Sequence, residues 1–84
     1  MNYSLSWTKQ AIKELGKLPK PVASRIFDKL ELITEDPHRT AERCEGYPWY
    51  HQRVGAHRAI LDINDADLLI SVRHVGPRKK VYNR

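Results

Sequence analysis

The sequence predicts an α+β domain: an N-terminal strand, an antiparallel helical hairpin, then a three-stranded antiparallel meander forming a curved sheet. Three observations carry this. Residues 3–7 (YSLSW) alternate large and small side chains, and residues 8–36 hold two apolar stripes at helical spacing. From Trp49 onward, three strand-like runs follow one another with only short connections.

In chain order, the alternating run 3–7 is a short strand with one buried face, and Thr8 behind it suits a helix N-cap. Ala11, Ile12, Leu15 and Leu18 then recur at helical spacing, while Lys9, Lys13 and Lys17 line a different face. The LPKP segment (18–21) interrupts this helix, because proline lacks a donor and biases its predecessor away from helical geometry. A second helix follows, with Pro21 in its first turn and a stripe of Val22, Ile26, Leu30 and Ile33 that stops near Asp36-Pro37. Residues 37–48 are polar and turn-rich and read as a loop. The runs 49–54, 57–63 and 68–75 are strands, separated by Gly55 and by the turn NDAD at 64–67. Helices grouped ahead of these strands give one helical layer on one sheet face.

A chain of 84 residues has room for one small core, so residues 1–84 are expected to form a single domain. With 40% hydrophobic and 30% charged residues, the composition is that of a globular protein rather than a disordered one. The net charge of +5 is concentrated late: residues 43–84 carry eight Lys/Arg against four Asp/Glu, and no carboxylate follows Asp67. Such a one-signed stretch suits an anionic partner, nucleic acid or an acidic protein, and equally a solubilising tail. Cys44 is the only cysteine, which excludes an intramolecular disulfide and a thiolate zinc site. A reducing compartment is expected. With neither a signal-like leader nor a long apolar run, the chain is expected to be cytoplasmic, with no membrane partner.

Strict alternation along 57–63 places Ala59, Leu61 and Ile63 toward the core and Arg58, Ile60 and Asp62 on the open face. Arg53, one strand away, joins Arg58 if the register is as expected, and Arg78 can return to the same concavity after Gly76-Pro77. Two readings are open: arginines gathered around an anion, or exposed arginines paired with nearby carboxylates. Phosphate loops, helical His-Glu metal motifs and zinc-spaced cysteines are all missing from the sequence, so no metal or other cofactor is expected. Cys44 reads as a packing residue, and His38, His51, His57 and His74, scattered over loop and strands, read individually as structural or solvated. What remains is chemistry built on cations, an imidazole and a phenol. Ribonucleolytic phosphoryl transfer needs little more, because arginines hold the charge of the phosphorane and an aromatic face stacks on a base.

The pieces YSLSWTKQAIKELGKLPK, RIFDKLELITEDP, EGYPWYHQRVGAHRAILDI and VRHVGPRKKVY, in this order, resemble the RelE/ParE superfamily of toxins from type II toxin–antitoxin pairs. The resemblance is to the RelE branch. It implies a RelE-like fold and a metal-independent endoribonuclease, an mRNA interferase that enters the ribosomal A site and cleaves mRNA by 2′-OH attack. It further implies neutralisation by a small RelB-like antitoxin, with operator DNA as a possible partner of that complex. By position in the motifs, it assigns phosphate binding to Arg58 and charge stabilisation with leaving-group assistance to Arg78. Tyr82 would stack on the base, and Arg53 falls where many members place a cation. Lys9, Lys13, Lys17, Lys79 and Lys80 would contact RNA, although a solvated face is the plain reading of the helical lysine stripe.

The sequence also departs from the family pattern. His51 stands where members often carry Lys or Arg, and is either a general base or a weaker phosphate ligand. His57 replaces a frequent tyrosine, Ala56 a frequent aspartate, and Pro77 a frequent histidine or lysine beside Arg78. Two alternatives follow: a ParE-like, non-enzymatic inhibitor of DNA gyrase, and a catalytically weakened toxin acting as a binding module for antitoxin and DNA.

Overall fold

The computed structural model describes residues 2–77; Arg78, Lys79, Lys80 and Tyr82 lie outside the described residues. Strand β1 (Ser4–Trp7) runs directly into helix α1 (Lys9–Gly16). As expected of an N-cap, the Thr8 hydroxyl accepts the Ala11 N–H at 3.1 Å; it also donates to the Arg73 carbonyl at 3.2 Å. The helix stops before Leu18, with the Lys17 N–H turned back to the Glu14 and Leu15 carbonyls. Helix α2 (Lys20–Leu32) carries Pro21 in its first turn, where the missing donor costs nothing. It ends short of the expected stop near Asp36, because the chain tightens into a 3₁₀ turn at Ile33–Glu35 that still buries Ile33. A second such turn spans Pro37–Arg39.

Residues 37–48 are not all loop. Glu42–Arg43 form a two-residue strand, β2, with Glu42 opposite His51 and Arg43 opposite Tyr50 on β3 (Tyr50–Val54). β4 (His57–Asn64) and β5 (Leu69–Pro77) complete the expected meander, which belongs to a larger five-stranded sheet in the order β1-β5-β4-β3-β2. All neighbours are antiparallel except β1, which runs parallel to β5 with Ser4 beside Leu69. Gly55 turns β3 into β4 at φ +60°, a conformation glycine adopts without steric cost.

Both helices lie on one face of the sheet. Ala11, Ile26 and Leu30 meet Val54, Ala59, Leu61, Ile70, Val72 and Val75 in the main core, flanked by the half-buried Tyr3, Leu5 and Trp7 of the N-terminal region. The alternation expected along 57–63 holds, since Ala59 and Leu61 are fully buried here and Ile63 packs at its margin. Ile60 faces the other side, where it packs with Cys44 and Trp49 in a small second cluster. A register shift at Ile60/Leu61 sets Ile60 opposite His74 but Leu61 opposite Val72, so Arg73 is the extra residue of a β-bulge. Both Val72 and Val75 therefore reach the main core although they are three residues apart.

Glu14 of α1 caps this irregularity. One carboxylate oxygen accepts the Val75 N–H at 3.0 Å, and the group also receives His74 Nδ1–H at 3.3 Å and Gln10 Nε2–H at 3.1 Å. Burial pushes its pKa up, but the hydrogen bonds from Gln10 and Val75 and the nearby His74 outweigh burial, leaving the carboxyl below its ordinary value. The helix is thus tied to the sheet by charge-assisted bonds as well as by packing.

Candidate functional site

The open sheet face is built by the alternation of its strands. Because Gln52 and Val54 point toward the helices, Trp49, His51 and Arg53 share the opposite side of the β3 segment. Arg53 sits directly opposite Arg58 on β4, in the register the sequence reading required. On the other flank of Arg58 the cross-strand neighbour is Gly76, which has no side chain to fill the space.

Arg58 departs from the expectation of an exposed arginine, being only 5% exposed. The side chain is laid into the open face rather than projecting from it. Its positive charge reaches Cys44, where it opposes but does not overcome the upward push that burial gives the thiol pKa. Arg53 is exposed, and no carboxylate pairs with it among the described residues. Arg73 follows the plainer of the two readings: its guanidinium binds Asp62 at 2.8 Å and lies 4.6 Å from the centre of the Trp49 ring.

His51 is also more enclosed than a free catalytic imidazole, at 6% exposure. Its Nε2 approaches Glu42 Oε1 at 3.3 Å, and its Nδ1 lies 3.4 Å from Cys44 Sγ. A carboxylate accepts only, so in the neutral ring Nε2 carries the proton and Nδ1 accepts from the thiol. Glu42 lies on the two-residue β2, whose pairing no sequence pattern announced. Cys44 is a packing residue as expected, though in the second cluster rather than the main core.

His38 and His74 are structural in their contacts. His38 Nε2–H donates to Asp65 at 2.7 Å, the Tyr3 hydroxyl donates to the same oxygen at 2.7 Å, and His74 is held by Glu14. Lys9, Lys13 and Lys17 are exposed along α1 as the spacing required, and Pro77 is exposed at the end of β5. A feature the sequence reading did not single out is the loop 44–49, where Tyr47 stacks on Trp49 with ring centres 5.0 Å apart. The spacing Y-P-W was its only signal. Among the described residues no group of His, Cys, Asp and Glu is arranged to hold a metal ion, and no helix is long and apolar enough to cross a membrane.

Two helices on one side of an open, mixed five-stranded sheet, with a cation-bearing face on the other, define the class of small α+β toxin domains. The family model of the ParE toxin of type II toxin–antitoxin systems matches residues 5–82, and the chain belongs to that family. Within it the likeness is to RelE. The chain is 28% identical to the mRNA interferase toxin RelE of Escherichia coli K12, covering 95% of this chain and 87% of that protein. The structure of free E. coli RelE, in a doubly arginine-substituted form, superposes with a TM-score of 0.82 at 28% identity, covering 99% of this chain and 93% of that one. The archaeal RelE–RelB complex from Pyrococcus horikoshii matches with a TM-score of 0.77 at 27% identity, over 93% and 97% of the two chains. The protein is a RelE-like toxin of a toxin–antitoxin system.

Proposed function

We propose that this toxin is a metal-independent endoribonuclease that cuts mRNA in the ribosomal A site and is held in check by a RelB-like antitoxin. The observation that carries the reading is the cross-strand pair Arg53–Arg58 on the open face, one cation exposed and the other embedded. Like charges opposite one another cost stability, and a phosphate between them offsets that cost. The relative named an mRNA interferase and the relative crystallised with RelB supply the class of reaction and of partner.

In this reading Arg53 and Arg58 bind the scissile phosphate, and Arg78 stabilises the charge that develops on it. The 2′-oxygen forms a bond to phosphorus as its proton leaves to a base, and the bond to the 5′-oxygen breaks as that oxygen takes up a proton. His51 is the imidazole on this face and the assigned proton acceptor. With the ring proton held on Nε2 by Glu42, the nitrogen able to accept is Nδ1, which becomes available when the Cys44 thiol releases it. Tyr82 stacks on the base, while Lys9, Lys13, Lys17, Lys79 and Lys80 hold the surrounding RNA.

The test is to add the protein to a translating extract and map mRNA 5′ ends. New ends are expected with the wild type, and Arg53→Gln should cut about 10²-fold more slowly, the size of a lost electrostatic contact to a reacting group. Intact mRNA together with gyrase capture would replace this reading by that of a gyrase inhibitor. One observation favours a second reading, a catalytically weakened toxin: His51 is turned to Cys44 and Glu42 rather than to solvent. That reading predicts feeble cutting by the wild type and a gain on His51→Lys combined with Pro77→His.

A further inference from the structure

Loop 44–49 leaves the sheet and returns to it as a stack. The Trp49 ring is covered by the Arg73 guanidinium at 4.6 Å and by the Tyr47 ring at 5.0 Å, the two aromatic planes lying within 14° of parallel. Arg73 is fixed in turn by Asp62. The indole is half-buried and engaged by both neighbours, and the more exposed aromatic surface is that of Tyr47, 47% exposed. Tyr47 lines an open concavity of about 570 Å³ together with Arg43, Cys44 and Pro48. The Tyr47 ring is held flat in advance by its neighbour, so a planar ligand meets it without an ordering cost in the ring.

We propose that Tyr47, braced by Trp49 and Arg73, is a stacking platform for an unpaired nucleobase that flanks the cleaved position. The proposal rests on the ribonuclease reading above and adds a subsite to it. Three features favour a base of single-stranded RNA over an apolar protein side chain. Flat aromatic and guanidinium surfaces match a nucleobase, whose recognition depends on stacking. Arg53, on the same strand face as Trp49, gives positive charge that a phosphate backbone follows, while Arg43 lines the concavity beside Glu45 with its guanidinium 5.8 Å from the Tyr50 ring. Finally, the platform is displaced from the reacting phosphate: Trp49 and Arg53 lie four residues apart on one strand face, about 13 Å at the rise of a β-strand. A base seated on Tyr47 is then a neighbour of the base next to the scissile bond, and the site contributes to which codon context is cut.

The experiment uses ribosomes programmed with short mRNAs, cleaved by the full-length toxin, with kcat and KM measured separately. For the wild type, replacing one nucleotide flanking the cut by an abasic nucleotide should raise KM about 5- to 150-fold, the equivalent of one lost base–aromatic stack, with kcat nearly unchanged. Tyr47→Ala should raise KM on intact mRNA by a similar factor and be insensitive to the abasic substitution, whereas Tyr47→Phe should behave as wild type. The platform is overturned if Tyr47→Ala cuts intact mRNA with wild-type KM, or if it alters antitoxin affinity alone; the ribonuclease reading survives either result. Absence of cleavage by the wild type overturns both.

Discussion

At the scale of single residues, the open face shows how burial changes the meaning of a charge. Arg58 was legible as a face-alternating cation next to Arg53, because period-two alternation and hairpin register are local properties of the sequence. Its enclosure was not, since Cys44 comes near it through a loop whose path no periodicity dictates. His51 has the same history: one residue in a strand run, it gains its partners Glu42 and Cys44 only when β2 adds to the sheet edge. A clearer case is Asp65, which accepts from Tyr3 and His38 at the opposite end of the sheet. The hydrogen bond from Tyr3, then that from His38, holds its carboxyl below the ordinary value, while the bond to Asp65 holds the Tyr3 phenol above its own. A lowered carboxyl pKa gives stability that is present above the unfolded value and lost as pH falls through the folded one. A raised phenol pKa gives stability that is present below the unfolded value and lost as pH rises through the folded one. Thermal unfolding should therefore show the contact weakening below about pH 4 and above about pH 10. Asp65→Asn should flatten both limbs, and an unchanged pH profile would refute the assignment.

At the scale of elements, the cap and the bulge belong together. Thr8 closes the first turn of α1 and reaches the carbonyl of Arg73, the bulged residue, while Glu14 from the same helix takes the Val75 N–H just beyond it. Thr8→Ala is expected to cost about 1 kcal/mol, the usual loss of an N-cap. Glu14→Ala should cost about 1.5–3 kcal/mol, because a charge-assisted bond is lost and a backbone donor is left in a part-buried site. Urea denaturation of the two variants measures both values. The cap was readable from T-K-Q-A, and both helices from their stripes. The bulge left a trace as well: Ile70, Val72 and Val75 step by two and then by three, a slip that a regular strand would not need. β2 left none, since two polar residues carry no period; it exists because its backbone meets β3.

For the molecule as a whole, one layer of side chains between helices and sheet supplies most of the cohesion. A chain of 84 residues has a net stability of about 4–13 kcal/mol. Leu61, fully buried at the centre of that layer, should lose about 2–5 kcal/mol on Leu61→Ala, a large share of the total. A marked fall in the urea midpoint at unchanged slope is the expected result, and a change within error would mean that the core repacks freely.

The parallel pairing of β1 with β5 has a consequence in time. During synthesis Ser4 leaves the ribosome long before Leu69 exists, so the first strand must wait, unpaired along its edge, until nearly all the described chain has been made. The hairpin that carries Arg53 and Arg58 pairs locally, but the sheet reaches its full width only when β5 has been made.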